Sequence, residues 1–374
     1  MEKNEIVAMV LAGGKGTRLG ALTRRNAKPA IYFGGKYRII DFVMSSIANS
    51  KINRVGIVTQ YESVDITSYC QNGKIWGFDG NNSSLDNLSP RQKEEESAGW
   101  YQGTADAINE NLDFLDKFDP EYILIVSSDH IYKMNFSKML AQMKNQNADA
   151  IISCISVPLE EASRFGILET NKDGMVTAFV EKPSKPKSTL ASMGIYIFKY
   201  DMLREALIKD AKKEDSSHDF GNDIIPYLLK KKKKIAVYNF VGYWRDVGTI
   251  DALWEANMDL IDDDSSLELY NYNDHFKIYS QDTKSLPQYI GPNASIKNSL
   301  INQGSQVLGE VEHSVVFTGA KIEEGAKVIS SVVMPGAVIG KNAVINKVIV
   351  LPDVEVKDNS EINVEGGKVL LVSK

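Results

Sequence analysis

The sequence has few cysteines, no excess of basic residues and no long apolar run. Its two cysteines, Cys70 and Cys154, are far apart in the chain, which argues against a disulfide framework and favours a reducing compartment. Lysine and arginine together number 43 against 49 aspartate and glutamate residues, a balance that provides no basic surface for nucleic acid. The first apolar run, at residues 6–11, is too short for the core of a signal peptide, and no run of about 18 apolar residues occurs, so we expect no signal peptide, no membrane span and a cytoplasmic location.

The remaining composition is that of an ordinary folded protein, and the first two thirds of the chain follow an alternating pattern. Of the 374 residues, 43% are hydrophobic and 25% are charged. Short apolar or β-branched runs predict buried strands at residues 6–11, 54–59, 122–126 and 150–157. Longer stretches between them predict helices at residues 41–50, 104–115 and 135–145. This alternation predicts an α/β fold with a mostly parallel sheet, whose ligands bind beyond the carboxyl ends of the strands.

After about residue 290 the sequence changes to a repeat of six residues. Aliphatic residues recur at this spacing in three groups: Val316, Ile322, Val328; Val333, Ile339, Ile345; Val350, Val356, Ile362. Such a repeat predicts a parallel β-helix, with each aliphatic side chain pointing inward from a short strand, and an ordinary β-sandwich is the alternative. Residues 290–307 fit the spacing less well and predict a coil that leads into the repeat. We therefore predict domains at residues 1–250 and 290–374, joined over 251–289 by a helix and a polar connector.

A glycine-rich segment directly follows the first predicted strand. It comprises Leu11, Ala12, Gly13, Gly14, Lys15, Gly16, Thr17 and Arg18. The glycines allow the backbone to approach a phosphate closely, and the Arg18 guanidinium can bind phosphate oxygens bidentately. The spacing excludes a P-loop, because Gly16 follows Lys15, and a dinucleotide fingerprint, because Leu19 replaces its third glycine. The segment is therefore either a phosphate-binding loop of another kind or a plain turn.

Two aspartates are candidate magnesium ligands. Asp129 lies just past the strand predicted at residues 122–126, where a carboxylate can bind Mg²⁺ together with substrate phosphates; the alternative is a cap for the next turn. Asp246 either caps the helix predicted at residues 249–260 or binds the same ion, and the sequence favours neither role.

The lysine and histidine residues that could have a function are less informative by themselves than these aspartates. Lys28 and Lys182 each precede a proline, and Lys182 could offer an ammonium group to a phosphate, but each taken alone is also an ordinary surface lysine. His218 could act as a general base together with Asp219, yet no Ser-His-Asp or metal-ligand spacing supports this. For these two residues we predict capping and packing.

Several longer motifs together resemble the sugar-nucleotide pyrophosphorylases, and among them the bacterial glucose-1-phosphate adenylyltransferase family. They are LAGGKGTRL at residues 11–19, AKPA at 27–30, FGGKYRIIDF at 33–42, WYQGTA at 100–105, DHIYK at 129–133, EEASRFG at 160–166, ASMGIY at 191–196, SHDFG at 217–221 and YWRDVGT at 243–249. Each motif is moderately specific, whereas the set in this order is highly specific and covers essentially the whole chain.

The resemblance implies a fold and a reaction. The fold is a Rossmann-like nucleotidyltransferase domain over residues 1–250, followed by a left-handed parallel β-helix of hexapeptide repeats over residues 290–374. The reaction is that of ATP with α-D-glucose 1-phosphate to give ADP-glucose and pyrophosphate, a step of glycogen biosynthesis, with Mg²⁺ as cofactor. The sugar phosphate attacks the α-phosphorus in line, so the enzyme contributes positioning and charge neutralisation and no nucleophile.

The resemblance also implies roles for individual residues. The nucleotide would be bound by Leu11, Ala12, Gly13, Gly14, Lys15, Gly16, Thr17 and Gln60. The catalytic groups would be Arg18, Lys28 and Asp129, and Asp129 would hold Mg²⁺ together with Asp246. Glucose 1-phosphate would be bound by Tyr101, Gly166, Glu181, Lys182 and Ser192. Gln60 and Trp100 match positions that couple the nucleotide to an effector site.

Finally, the resemblance implies an allosteric homotetramer, or a heterotetramer with a paralogous subunit. Candidate contacts for an anionic effector are Arg25, Lys36 and Arg38. One alternative is a weakly catalytic regulatory subunit, and another is a second activity of the β-helix in acyl transfer, with His313 as the available base. Ser128 stands where many relatives have glycine; if the backbone there needs positive φ, the serine costs about 1 kcal/mol.

Overall fold

The computed structural model describes residues 5–14, 16–24, 26–60, 63–91, 100–262, 267, 269 and 276–373. The chain forms two compact units, each assembled from separate stretches of sequence. Unit 1 comprises Met1–Gly13, Ser46–Ser128 and Met134–Val241. Unit 2 comprises Gly14–Ser45, Asp129–Lys133 and Gly242–Lys374. The glycine-rich loop after Gly13 and the short segment at Asp129 therefore belong to the same unit as the C-terminal part of the chain.

The elements before the hexad region have the following bounds. The strands are β1 (Ile6–Leu11), β2 (Tyr32–Phe33), β3 (Tyr37–Arg38), β4 (Arg54–Val58), β5 (Ser84–Leu88), β6 (Tyr122–Ser127), β7 (His130–Tyr132), β8 (Ala150–Ser156), β9 (Gly166–Thr170), β10 (Val176–Glu181), β11 (Leu190–Lys199), β12 (Ile235–Asn239) and β13 (Trp244–Asp246). The α-helices are α1 (Ile39–Asn49), α2 (Ser63–Cys70), α3 (Thr104–Asn109), α4 (Leu112–Phe118), α5 (Phe136–Asn145), α6 (Tyr200–Asp210), α7 (Ile225–Lys230) and α8 (Ile250–Met258). Short 3₁₀ turns cover Thr17–Thr23, Lys28–Ala30, Lys74–Trp76 and Ala162–Arg164, and a π-helical turn covers Phe220–Ile224.

Unit 1 is built on a nine-stranded sheet of described strands, with the order β10-β9-β11-β6-β1-β4-β5 and with β8 between β11 and β12. β1 pairs in parallel with β4 and β6, β4 with β5, and β8 with β12. β11 runs antiparallel to β6, β8 and β9, and β10 runs antiparallel to β9. All strands of this sheet except β10 and β11 therefore point the same way, and the predicted mostly parallel sheet is confirmed.

The central strands are apolar on both faces because both faces are covered. Val7 and Met9 on β1, with Ile123 and Ile125 on β6, belong to one buried cluster that also includes Leu115. A strand buried on both faces needs consecutive apolar residues instead of alternating ones. This is why the runs predicted at residues 6–11 and 122–126 agree with β1 and β6 within one residue.

The single helix predicted over residues 104–115 is wrong, because two short helices, α3 and α4, occupy this region. Asn111 lies between them with φ of -116° and ψ of 22°, outside the helical region. Its side-chain amide donates to the Ala107 carbonyl at 2.8 Å. Asparagine competes in this way with the backbone for hydrogen bonds, and a pattern of apolar spacing does not reveal it.

The part of unit 2 that precedes the hexads contains two small antiparallel ribbons and helix α8. β2 pairs with β3, and β7 pairs with β13. Thr249 caps α8, since its side chain accepts a hydrogen bond from the Ala252 amide. Phe33 from the first ribbon and Leu253 from α8 pack in one apolar cluster with Phe317 of the hexad region. These ribbons and the hexad region thus share one core.

The hexad region forms three parallel sheets of five strands each among the described residues. Its strands are β14 (Tyr289–Ile290), β15 (Ser295–Lys297), β16 (Leu300–Ile301), β17 (Gln306–Val307), β18 (Glu310–Glu312), β19 (Val315–Val316), β20 (Lys321–Ile322), β21 (Lys327–Ile329), β22 (Val332–Val333), β23 (Val338–Ile339), β24 (Val344–Asn346), β25 (Val348–Val350), β26 (Glu355–Val356), β27 (Glu361–Ile362) and β28 (Leu370–Val372). Every third strand pairs in register, as Ile322 does with Ile339 and Ile339 with Val356.

This arrangement is the coil of a β-helix, and the predicted left-handed β-helix after a nucleotidyltransferase sheet is confirmed. The inward positions of the hexads, such as Val328, Ile339 and Ile345, are fully buried. The predicted leading coil at residues 290–307 holds the first strands of the stack, and there Ile290 and Ile296 are exposed. Among the described residues, we find no helix with the length and apolar character needed to cross a membrane.

Candidate active site

Two aspartates and a lysine form a cluster within unit 2. The Lys28 ammonium donates to Asp129 Oδ2 at 2.8 Å and to Asp246 Oδ1 at 3.0 Å. Asp129 directly precedes β7, and Asp246 ends β13, where it lies opposite His130. The antiparallel pairing of these two strands therefore brings both carboxylates to one end of the ribbon, with the ammonium group between them.

Lys28 is the buried cation of this cluster. Only 5% of the residue is exposed. Burial alone would lower the pKa of its ammonium group, but the charges of Asp129 and Asp246 outweigh burial and hold the pKa above its usual value. Lys28 is therefore charged at neutral pH, and this lysine is not the surface residue that its local sequence also allowed.

The imidazole of His130 approaches the same two carboxylates. His130 Nε2 is 3.4 Å from Asp129 Oδ1 and 4.0 Å from Asp246 Oδ1. The ring packs edge-on against Trp244, with the ring centroids 5.3 Å apart. One carboxylate oxygen of Asp129 thus faces Lys28, and the other faces His130.

The donor atoms of this cluster fit a divalent metal ion. Ligand atoms of Asp129, His130 and Asp246 all lie within 4.8 Å of one another. Two carboxylates that leave positions for phosphate and water oxygens are the donor set that Mg²⁺ prefers. Because Thr249 caps α8, the capping role considered for Asp246 is excluded, and its role as a metal ligand stays a prediction.

The glycine-rich loop packs against Lys28. Gly16 has φ of +58°, in the left-handed region that favours glycine. A Cβ atom on Gly16 would lie 2.9 Å from Thr23 Cγ2 and 3.4 Å from Lys28 Cβ. The packing of this loop against Thr23 and Lys28 thus requires glycine at position 16, and Thr17 begins the following 3₁₀ turn. Lys15 lies outside the described residues.

Arg18 reaches the cluster over Gly248. A Cβ atom on Gly248 would lie 3.2 Å from Arg18 Nη2 and 3.0 Å from Asp246 Oδ1. The absence of a side chain at position 248 therefore leaves room beside this residue for both the Arg18 guanidinium group and the Asp246 carboxylate. Within unit 2, the structure brings together the predicted residues Arg18, Lys28, Asp129 and Asp246.

A second group of predicted residues lies within unit 1, where Glu181 ends β10 opposite Gly166 of β9. A Cβ atom on Gly166 would lie 2.7 Å from Glu181 Oε2, and one on Gly221 would lie 2.5 Å from the same oxygen. The carboxylate is therefore enclosed by two glycine backbones. Its oxygens can accept hydrogen bonds from sugar hydroxyls.

Lys182 is close to this carboxylate, whereas Ser192 contacts Tyr196 on β11. Lys182 Nζ lies 3.2 Å from Glu181 Oε1, and 67% of the lysine side chain is exposed. Ser192 Oγ lies 3.5 Å from the hydroxyl of Tyr196, and the register of β11 against β8 shifts between these two residues. Burial raises the pKa of the Tyr196 hydroxyl, and the Glu181 charge raises it further. The β11 irregularity thus brings the Ser192 and Tyr196 hydroxyls together.

Gln60 links the start of the glycine-rich loop to Tyr101. A Cβ atom on Gly13 would lie 3.2 Å from Gln60 Cβ, and Gln60 Nε2 donates to the Tyr101 carbonyl at 3.3 Å. The Tyr101 hydroxyl accepts a hydrogen bond from Asn111. The adjacent Trp100 is 64% exposed. The predicted nucleotide residues Leu11 and Ala12 complete this group at the end of β1, where Ala12 is buried.

His218 and Asp219 have the predicted capping and packing roles. The His218 carbonyl accepts hydrogen bonds from the Ala105 and Asp106 amides at the start of α3. Its ring Nδ1 lies 3.0 Å from Asp210 Oδ2. The Asp219 carboxylate accepts hydrogen bonds from the first amides of the following π-helical turn. The pair therefore fixes the segment that contains Gly221.

Ser128 does not carry the backbone strain that would arise if a serine stood at a position of positive φ suited to glycine. It is not among the described residues with positive φ. Its hydroxyl donates to the Leu11 carbonyl at 2.7 Å, which ties the end of β6 to the end of β1. The serine before Asp129 therefore adds no energetic cost from a left-handed backbone conformation.

His313, the base that acyl transfer would need, is engaged in structural contacts. Its Nε2 lies 2.7 Å from Asp262 Oδ1, and its Nδ1 lies 3.2 Å from Ser330 Oγ. Both ring nitrogens thus have partners, which argues against a second activity in the β-helix.

Sequence reasoning missed three contributors to these groups: His130, Gly248 and Gly221. All three lie within quoted motifs: His130 is next to Asp129, Gly248 is two residues from Asp246, and Gly221 is two residues from Asp219, for which capping was predicted. Histidine beside a carboxylate is a recognisable signal for a metal site, and it could have identified His130. The two glycines gave no separate signal, because their contribution is the space that they leave.

Comparisons with known proteins identify the family of the chain. The nucleotidyl transferase family model matches residues 7–263, and the GlmU-like C-terminal hexapeptide model matches residues 283–368. The glucose-1-phosphate adenylyltransferase of Clostridium novyi (strain NT) is 52% identical over 329 residues, which cover 88% of this chain and 85% of that protein. The proteins of the same name from Bacillus subtilis (strain 168) and Acetivibrio thermocellus are 51% and 48% identical, each over 88% of this chain and over 86% and 76% of their own lengths. The chain therefore belongs to the glucose-1-phosphate adenylyltransferase family of nucleotidyltransferases.

Proposed function

We propose that the chain transfers the adenylyl group of ATP to α-D-glucose 1-phosphate, giving ADP-glucose and pyrophosphate for glycogen biosynthesis. The observation that carries this proposal is the cluster of the buried Lys28 with the partly exposed Asp129 and Asp246, with Arg18 beside it. It supplies cations for phosphates and carboxylates for a metal ion, as in-line phosphoryl chemistry requires. The names of the relatives support the choice of substrates.

The residues of unit 2 would bind and neutralise the phosphates. The loop around Gly16 lets backbone amides approach the triphosphate, Arg18 donates to the oxygens of the leaving pyrophosphate, and Lys28 offers a buried positive charge. Asp129 and Asp246 would hold Mg²⁺, which when bound supplies positive charge to phosphate oxygens. No enzyme nucleophile is needed, because the sugar phosphate itself attacks.

The residues of unit 1 would bind the sugar phosphate. The enclosed carboxylate of Glu181 accepts hydrogen bonds from sugar hydroxyls, and the exposed ammonium of Lys182 donates to the phosphate. Gly166 leaves room for that carboxylate, and Ser192 and Tyr101 add hydroxyl groups.

A substitution at Asp129 tests the proposal. Asp129→Asn should lower turnover roughly a thousandfold, equivalent to about 4 kcal/mol of transition-state stabilisation, because a metal-binding charge is lost. Asp251→Asn, which removes the same charge from an exposed position on α8, is the matched control and should leave turnover unchanged. Pyrophosphate release by the purified chain alone gives the readout. A variant that keeps a tenth of wild-type turnover contradicts the role of Asp129, and an inactive wild-type chain favours the regulatory-subunit alternative.

We further propose that the β-helix serves assembly into a tetramer and allosteric regulation. Gln60, which contacts both Gly13 and the Tyr101 backbone, supports a coupling role for itself and for the adjacent Trp100. Lys36 and Arg38 are proposed anion contacts, while Arg25 lies outside the described residues. A chain that ends near residue 290 should differ from the full chain in oligomer size and in its effector response, measured by sedimentation and by activation curves; unchanged values would contradict the proposal.

A further inference from the structure

Lys28 holds the two carboxylates that are the proposed metal ligands. Its ammonium group donates to one oxygen of Asp129 and to one oxygen of Asp246, at 2.8 Å and 3.0 Å. These contacts are also ion pairs, and only 6% of the lysine side chain is exposed. The ammonium group is thus a resident counter-ion for the carboxylate pair.

A divalent ion bound by both carboxylates would lie close to the Lys28 ammonium group, which already contacts one oxygen of each carboxylate. Mg²⁺ binds carboxylate oxygens at about 2.0–2.1 Å, so it approaches them more closely than an ammonium group does. Two cations held by the same carboxylates repel each other, and solvent screens this repulsion little on the side of Lys28, whose side chain is buried. Asp129 has a second oxygen, but that atom faces the His130 ring at 3.4 Å.

We infer that Lys28 competes with the divalent ion for Asp129 and Asp246, and that it leaves them when the ion binds. The phosphates of the nucleotide then provide the new partner for the ammonium group. Free metal ion alone offers Lys28 no such partner, so the nucleotide-free chain binds it weakly. Lys28 thereby couples metal binding to nucleotide binding. This inference rests on the proposed metal role of the two aspartates.

Removal of the Lys28 charge should strengthen metal binding while it impairs catalysis. In Lys28→Met the carboxylates lose their counter-ion, and we expect the affinity for Mn²⁺ alone to rise roughly 10- to 100-fold over wild type. Lys28→Arg retains the charge and should keep the weak wild-type affinity. Lys321→Met removes a lysine that pairs with Glu323 in the β-helix, and this control should not change the affinity.

Mn²⁺ titrated without nucleotide, with the free ion measured by electron paramagnetic resonance, gives the affinities of the full-length chain. Lys28→Gln, which retains a polar side chain, replaces Lys28→Met if circular dichroism shows the latter to be unfolded. Equal or weaker Mn²⁺ binding by the folded Lys28 variant overturns the inference. So does an equally large rise in Lys28→Arg, because the effect would then not depend on charge.

A carboxylate variant separates this inference from the proposed metal site. Asp129→Asn added to Lys28→Met should abolish the tight binding. If tight binding persists, the ion is held elsewhere, and both the inference and the proposed metal site fail. If Asp129→Asn weakens Mn²⁺ binding but Lys28→Met binds Mn²⁺ with the wild-type affinity, the proposed metal site stands and only the competition by Lys28 is refuted.

Discussion

Gly166 is the residue at which a single methyl group should test the sugar-binding assignment. A Cβ atom there would lie 2.5 Å from Phe179 Cζ and 2.7 Å from Glu181 Oε2. The backbone itself is no obstacle, because Gly166 is not among the residues with positive φ. The Phe179 ring is buried in the core of unit 1, and Gly221 closes the other side of the Glu181 carboxylate. Gly166→Ala should therefore displace that carboxylate.

The magnitude follows from the hydrogen bonds that Glu181 would lose. A hydrogen bond to a charged group contributes about 1.5–3 kcal/mol, which corresponds to a roughly 10- to 150-fold rise in the KM for glucose 1-phosphate. The KM for ATP should change little. Crowding of the strand should also destabilise unit 1 by about 1–3 kcal/mol. Steady-state rates of pyrophosphate release, with each substrate varied in turn, measure the two KM values.

Two further variants make this experiment decisive. Gly367→Ala adds the same methyl group where the nearest atom is 3.7 Å away, so both KM values should stay at wild type. In a Glu181→Ala background, Gly166→Ala should have little further effect on the sugar KM, because the displaced group is already absent. A folded Gly166→Ala variant with normal sugar KM, or effects of the two substitutions that simply add, would refute the reasoning.

Three other outcomes are expected. Lys182→Gln should raise the KM for glucose 1-phosphate roughly 10- to 150-fold, because a charge-assisted contact to its phosphate is lost; steady-state kinetics that show a larger rise for ATP would reassign this lysine to the nucleotide. Ile339→Asp places a carboxylate in the fully buried β-helix interior and should destabilise unit 2 by several kcal/mol, as measured by calorimetry. Val338→Asp, at a position paired with Lys321 and Glu355, should destabilise it much less. Similar losses of stability in the two variants would contradict the inward orientation of Ile339. Burial would raise the pKa of Asp210, but Lys213, His218 and Ser216 outweigh burial and hold the pKa below 3.8. This carboxylate therefore stabilises the fold above about pH 4, and it stabilises the fold less as the pH falls through its lowered pKa. In thermal unfolding between pH 7 and pH 3, the difference in stability between wild type and Asp210→Asn should become smaller as the pH falls, and a constant difference would contradict this explanation.

The sequence determined the elements whose signals are local. The run at residues 6–11 is β1 because continuous apolar residues suit a strand that is covered on both faces. The six-residue spacing of Ile322, Val328 and their counterparts placed these residues in the β-helix interior, since each coil repeats the same short strand. The glycine-rich loop and the strand-end position of Asp129 were also visible, because both depend on neighbouring residues alone.

Only the tertiary structure decided which groups face one another. Lys28 meets Asp129 across 101 residues of sequence and Asp246 across 218, and no local pattern distinguishes such a lysine from a solvated one. The pairing of β7 with β13 placed Asp246 opposite His130, at the same end of the ribbon as Asp129. The physical reason is that an ion pair depends on distance and burial, which the chain acquires only when remote segments pack together, whereas strand and helix preferences are already present in consecutive residues.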